Sequence, residues 1–227
     1  GSMFLSRALE ELAVANGFEH IDYCSYFVKV HPDQGSQLFD KATLARAFHP
    51  NGCHYGTLRR AYPIPSHELY RSVLLLRDPR DCLVSHYYSV RDSHTLNNRG
   101  NLEARKEALR TDIDQWVLSK AAQYAQDFEQ FHSRLVGKPG VLFLRYEEMV
   151  TAFPDFLRKV VAHTGLDQDQ EAVARILEEA DFEVSGENLL SHKRSVKPGN
   201  HLKKLKPETI DRLNGALAEV LELFDYR

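Results

Sequence analysis

Val73-Leu74-Leu75-Leu76-Arg77-Asp78-Pro79-Arg80-Asp81-Cys82-Leu83-Val84-Ser85-His86-Tyr87-Tyr88 reads as a short buried strand running straight into a helix. Four consecutive apolar residues, Val73 to Leu76, suit a strand covered on both faces. Asp78 is placed to cap the helix that follows, and Pro79 stands at the first helical position, where a missing N–H costs nothing. The free N–H groups of that first turn, the positive end of the helix dipole and the Arg77 guanidinium together favour a phosphate or sulfate at the strand's carboxyl end. Ser85, two turns into the helix, adds a hydroxyl donor. An arginine directly after an apolar strand is seldom there for packing alone, so Arg77 leads the candidate residues.

Outward from this stretch, the pattern alternates helices and strands, which predicts a three-layer α/β fold with a parallel central sheet flanked by helices. Helices are expected near 4–16, 41–47, 79–91, 103–109, 112–135, 153–164, 169–180 and 207–223, and strands near 19–23, 26–30, 52–55, 72–76 and 141–145. Pro207 at a first helical position, followed by Ile210, Leu213, Leu217, Val220, Leu221 and Phe224, marks a closing amphipathic helix. The polar stretch from Arg91 to Arg110 makes a poor core element and suits a lid or an acceptor-side segment. No internal repeat or low-complexity run interrupts the chain, so 1–227 is read as one domain.

With 227 residues, 43% hydrophobic and 27% charged, the chain can bury a sizeable core. A formal charge of −3 gives no general pull toward nucleic acid or an anionic membrane, so any anion site must be local. Basic residues do bunch, at Arg77 and Arg80 and again at Lys193, Arg194, Lys197, Lys203, Lys204 and Lys206. Cys24, Cys53 and Cys82 are too few and too scattered for a disulfide framework or a zinc site, which points to a reducing compartment, the cytoplasm by default. No apolar run approaches the ~20 residues of a membrane span, so stable membrane insertion is not expected of these residues. A lumenal location stays open, because an upstream anchor would leave no trace in this stretch.

The strand-R-D-P-R-D-helix pattern, with Ser85 eight residues after Arg77, resembles the 3′-phosphate-binding segment of sulfotransferases that use 3′-phosphoadenosine 5′-phosphosulfate (PAPS). Three further segments fall in that family's order. Val141-Leu142-Phe143-Leu144-Arg145-Tyr146-Glu147-Glu148-Met149 resembles its later strand ending in Y-E-[DE]-[LM], Asp181-Phe182 its adenine-stacking segment, and His192 to His201 its last nucleotide loop. The resemblance implies that Arg77, Ser85 and Arg194 hold the 3′-phosphate and that Tyr146 and Phe182 approach the adenine. It implies PAPS as donor, adenosine 3′,5′-bisphosphate (PAP) as product and no metal.

Two departures stand out. Asn200-His201 replaces the Asp-Trp that usually follows the loop glycine. The family's opening strand and its P-[KR]-[ST]-G-[ST]-[ST]-[FWY]-L loop, which holds the 5′-phosphosulfate, are matched only from Gly1-Ser2-Met3-Phe4-Leu5. Those residues read either as the back half of that loop, with Gly1 and Ser2 touching the phosphosulfate, or as a two-residue expression remnant before an initiator Met3; the pattern favours the first. Either way the loop's basic residue and the strand before it are not among these residues, so catalytic completeness is in doubt.

Sulfonate transfer needs positioning and charge neutralisation, which fixed Arg, Lys and backbone donors supply. A general base helps by taking the proton of the acceptor hydroxyl. His54, in Asn51-Gly52-Cys53-His54-Tyr55-Gly56, stands on the strand before the 3′-phosphate segment, where many family members carry their catalytic His. A half-buried histidine making one structural hydrogen bond is the competing reading. His86 and His192 are weaker candidates, and adjacent Glu147 and Glu148 suit a helix start or loop better than paired acid/base work. The acceptor is expected to be a small molecule or a glycan bearing a hydroxyl or amine. Its pocket is expected from Tyr55 to Arg60 and from 91–110, with Arg59 and Arg60 either greeting an anionic acceptor or simply solvated. A catalytically silent nucleotide-binding or scaffolding protein and a phosphoryl-transfer kinase are the rival readings, although no G-x-x-x-x-G-K-[ST] loop is visible. Oligomeric state is open.

Overall fold

The structure, a computed structural model, describes residues 2–22, 41–93, 99–167, 169–180 and 196–226. In chain order the elements are α1 (Ser2–Ala15), β1 (Glu19–Ile21), α2 (Lys41–Ala47), β2 (Cys53–Tyr55), β3 (Ser72–Leu76) and α3 (Pro79–Tyr88). A π-helical turn, Ser89–Ser93, extends α3 and is followed by α4 (Arg99–Arg110), α5 (Ile113–Leu135), β4 (Val141–Arg145), α6 (Tyr146–Thr151), α7 (Phe153–Thr164) and α8 (Gln170–Glu179). The described chain closes with α9 (Asn200–Lys204), α10 (Pro207–Ala216) and α11 (Ala218–Leu223).

Two compact units divide these elements, one from Gly1–Leu76 with Ser133–Asp181, the other from Arg77–His132 with Phe182–Arg227. All four described strands belong to the first unit. Instead of one central sheet they form two parallel pairs, β1 with β2 and β3 with β4. The expected strand at 26–30 lies outside the described residues. β3 and β4 pair residue for residue from Ser72↔Val141 to Leu76↔Arg145. The Val73–Leu76 run is not equally covered on its two faces: Leu74 and Leu76 are buried, whereas Val73 and Leu75 are half-buried. Around these strands α1 contributes Leu5, Ala8, Leu12 and Ala13 to the buried set, one stripe at helical spacing, and α7 contributes Phe153, Phe156, Leu157 and Val160. His163, near the end of α7, reaches the carbonyls of Ser72 and Gly140 at 3.1 Å each, which ties that helix to the starts of β3 and β4.

Tyr146 begins a helix directly at the end of β4, where an open strand end was expected. Glu148, three residues beyond Arg145, takes the Arg145 N–H at 3.2 Å, the local bond that starts a helix. The helix-start reading of Glu148 is thus the one realised.

In the second unit Leu83, Val84 and Tyr87 of α3 are buried, as are Trp116, Val117, Ala121 and Phe128 of α5 and Leu213, Leu217, Val220, Leu221 and Phe224 toward the carboxyl end. The expected helix over 207–223 is interrupted for one residue at Leu217, where φ is −112°. Asn214-Gly215 supplies weak helix formers just before that break, and Leu217 turns inward at 1% exposure. Much of the 91–110 stretch is regular helix, with Ala108 buried.

Candidate functional site

The turn from Arg77 into α3 places four charged residues within five, Arg77, Asp78, Arg80 and Asp81. Asp78 caps the helix as its position predicts, accepting the Arg80 N–H at 2.9 Å, with Pro79 at the first helical position. The Arg80 guanidinium folds back on Asp78 at 2.7 Å and also binds the Asn214 Oδ1 and the Tyr226 carbonyl, at 2.7 and 2.6 Å. Arg80 therefore ties the helix start to the carboxyl end of the chain. Since Asp78 already takes the Arg80 N–H, the first turn offers an anion fewer open donors than its sequence suggests.

Arg77 is held differently. Its Nη2 donates to the Asp81 Oδ2 at 2.9 Å and to the Lys197 carbonyl at 3.4 Å. The Asp81 side chain is fully buried, yet both its oxygens are occupied: it accepts the N–H groups of Gly199 and His201 at 2.9 Å each and the His201 Nδ1 at 2.7 Å. Burial alone would raise its pKa, but the hydrogen bonds from His201 and the Arg77 charge hold it down to about 2. Gly199 takes φ +78°, a left-handed turn that glycine adopts without strain and that brings its N–H to the carboxylate. One carboxylate thus joins Arg77 to residues 199–201. Ser85 follows Asp81 by four residues, on the same face of α3, and among the described residues its hydroxyl makes no hydrogen bond.

This donor set fits a phosphate: a guanidinium just before the helix and a hydroxyl two turns into it, with the neighbouring carboxylates held by Arg77, Arg80 and His201. Asp81 and His201 are what sequence reasoning missed. Asp81 stands one turn after Arg77, a legible i,i+4 signal; His201 appeared only as a departure from the usual loop.

In the first unit His54 lies on β2, directly beside His20 of β1 in the parallel register. Their Nδ1 atoms are 2.9 Å apart and their rings stack at 5.0 Å. Burial first, and the neighbouring His20 second, lower the His54 pKa to about 4, so its ring is neutral at pH 7. Tyr146, in the same unit, is 5% exposed at the start of α6. Ser2 opens α1. Gly1, Phe182, His192 and Arg194 lie outside the described residues. His86, the other candidate base, sits in an aromatic group of the second unit, 3.1 Å from the Tyr124 hydroxyl and edge-on to Trp116. Burial pushes the Tyr124 hydroxyl above its ordinary pKa, and both side chains are half-buried. Arg59 and Arg60 are exposed.

Among the described residues no group of three or more His, Cys, Asp or Glu is arranged to hold a metal ion, and no helix is long and apolar enough to cross a membrane.

Comparison with known proteins gives one family. The model described as "Sulfotransferase domain" matches residues 66–209. No curated protein matches. A solved structure, the mouse sulfotransferase SULT7A1 complexed with PAP, aligns at 18% identity with a TM-score of 0.43, over 68% of this chain. The alignment takes in 61% of that protein's length.

Proposed function

Because the chain belongs to the sulfotransferase domain family, we propose that it moves a sulfonate group from PAPS to a hydroxyl or amine acceptor, a small molecule or a glycan. In this reading residues 1–227 are one domain with the family's three-layer, nucleotide-kinase-like layout, and the scattered cysteines favour a reducing compartment such as the cytoplasm, with a lumenal location as the alternative. The observation that carries the reading is Arg77, oriented by Asp81 and the 197–201 turn, with the Ser85 hydroxyl on the same helix face. These groups take the 3′-phosphate, with Arg194 added by resemblance. Gly1 and Ser2 at the phosphosulfate and Tyr146 and Phe182 at the adenine rest on resemblance alone.

The donor, when bound, supplies the sulfonate and a phosphate leaving group. The acceptor oxygen bonds to sulfur as the bond from sulfur to the phosphate oxygen breaks. The proton released from the acceptor goes to the Nε2 of His54, which is neutral and therefore able to receive it. Arg77 contributes charge neutralisation and orientation, with no proton transfer.

Calorimetric titration with PAP, with 5′-adenylate as control and Arg77→Ala as variant, tests the site. A charge-assisted contact is worth roughly 1.5–3 kcal/mol, so Arg77→Ala should weaken PAP binding about 10- to 100-fold and leave 5′-adenylate unchanged. PAP binding no tighter than 5′-adenylate in the folded protein defeats the proposal. The packing of His54 against His20, Nδ1 to Nδ1 at 2.9 Å, favours a silent PAP-binding protein as second reading, since burial and this neighbour together lower the His54 pKa to about 4, low for a general base. Firm PAP binding without any turnover of PAPS to PAP would select that reading.

A further inference from the structure

His54 does not stand alone on its strand. Its Nδ1 lies 2.9 Å from the Nδ1 of His20, and a hydrogen bond between two such nitrogens holds one proton, given by one ring and accepted by the other. Which ring gives it is decided by the far side of His20. There the Glu10 carboxylate of α1 lies 3.6 Å from the His20 Nε2, too long for a good hydrogen bond but close enough for its charge to favour a proton on that nitrogen. With its proton on Nε2, His20 presents a bare Nδ1. His54 must then be the donor, carrying its own proton on Nδ1 and leaving its Nε2 lone pair open. Among the described residues that Nε2 makes no hydrogen bond.

The place for the His20 ring is made by a missing side chain. Gly56, just past the end of β2, lies so close that a Cβ there would come within 2.9 Å of the His20 Cε1 and 3.5 Å of its Nε2. Its φ is not in the left-handed region, so the glycine is needed here for space. The parallel register, Gly56 and Glu10 thus converge on one orientation of one ring.

We propose that His20, set by Glu10 and seated against Gly56, is a positioning residue that holds His54 as its Nδ1–H tautomer and turns Nε2 outward as the proton-accepting atom. This deepens the reading of His54 as base and rests on it. When Nε2 takes the acceptor's proton, His54 becomes an imidazolium that still donates Nδ1–H to His20, and Glu10 faces the positive charge from beyond. No proton need leave the pair during the step, and the balance is one proton lost by the acceptor and one gained by His54.

The tautomer is measured directly. Protein carrying ¹⁵N-labelled histidine is examined at pH 7 by long-range ¹H–¹⁵N correlation, with His54→Gln used to assign the His54 signals. The expected result is the Nδ1–H form of His54 in the wild type. In His20→Ala and in Gly56→Ala it should revert to the Nε2–H form that free neutral imidazole prefers. His20→Asn should retain the Nδ1–H form, because the amide oxygen can accept that proton. Backbone amide dispersion verifies that each variant is folded, and Gly56→Ala leaves both histidines in place. A wild-type His54 carrying its proton on Nε2, or an Nδ1–H form that survives both His20→Ala and Gly56→Ala, overturns the proposal.

PAPS hydrolysis, with water as acceptor, separates this idea from the one beneath it. His20→Ala should lower kcat about tenfold with KM for PAPS unchanged, and His20→Asn should recover most of the loss. If His54→Gln itself leaves hydrolysis untouched, the base assignment fails while the tautomer spectra still decide whether His20 sets the pair.

Discussion

Asp81→Asn is the substitution that most directly tests how the Arg77 site is held together. The carboxylate is fully buried and accepts from Arg77, Gly199 and His201. Its pKa is held near 2 against an ordinary 3.8, which at about 1.36 kcal/mol per unit corresponds to roughly 2 kcal/mol of stability. The sign follows from the direction of the shift. The folded-state pKa is depressed, so this stability is fully present above pH 3.8 and is lost as the pH falls toward 2. Asparagine keeps one carbonyl oxygen, which can still serve His201, but turns an NH₂ group toward the Gly199 N–H and the Arg77 Nη2. Donors then face donors, at about 1–3 kcal/mol for each group left unsatisfied. The expected loss at pH 7 is about 3–5 kcal/mol, read as a lower midpoint in guanidinium chloride unfolding. Wild-type and variant curves should converge as the pH is lowered from 4 to 2. Arg77, released from its tether, should bind PAP several-fold more weakly, since ordering one long side chain costs about 0.5–1.5 kcal/mol. A loss at pH 7 under about 1 kcal/mol, or a gap that persists unchanged at pH 2, refutes the account of Asp81 as the charged hub.

Three further outcomes are expected. His54 has its folded-state pKa lowered from 6.5 to about 4, so the unfolded chain binds the extra proton between those values and stability falls by roughly 3 kcal/mol as pH drops from 6.5 to 4; urea midpoints measured across that range should show this slope, and His54→Gln should flatten it. Gly140→Ala would place a Cβ in collision with the Tyr70 carbonyl at a residue with φ +76°, so a loss of about 3 kcal/mol or more is expected from thermal unfolding, and an unchanged Tm would contradict it. Tyr124→Phe removes the 3.1 Å contact with His86 and should cost about 1 kcal/mol in chemical unfolding without altering PAP affinity.

What could be read from the chain follows the range of each interaction. The β3 to α3 segment was legible because its signals are local: an apolar run, a capping aspartate and a proline within seven residues. The helix starting at Tyr146 was legible only in part: Glu147 and Glu148 pointed to a helix start or a loop, but its placement directly on the end of the strand, with no spacer, was not. The partnership of Asp81 with His201 spans 120 residues, and that of His20 with His54 spans 34. Neither leaves a periodicity in the sequence. His54 is legible as a strand residue at a candidate base position, but the ring beside it depends on a strand register that composition cannot specify. The interruption at Leu217 is slight, since the backbone bonds Leu217 N–H to the Leu213 carbonyl and Leu221 N–H to the Leu217 carbonyl run through it, and so it left no signal in the sequence.

The interleaving of the two units bears on how the chain is made. Neither unit is a continuous stretch, because the backbone changes unit after Leu76, after His132 and after Asp181. On a ribosome, β3 therefore emerges well before its only strand partner among the described residues, and at about 5–20 residues per second β4 follows some 3–14 s later. During that wait Val73-Leu74-Leu75-Leu76 is an unpaired apolar strand. It is bracketed by Arg71 on one side and by Arg77, Asp78 and Pro79 on the other, the charge and proline that discourage nascent chains from pairing with one another. Arg77, proposed above as an anion ligand, would on this account act earlier, with Arg71, as a gatekeeper for the strand between them. Stalled chains ending before Val141 should aggregate more readily when Arg71 and Arg77 are both replaced by Leu, and equal solubility of the two would remove that second role.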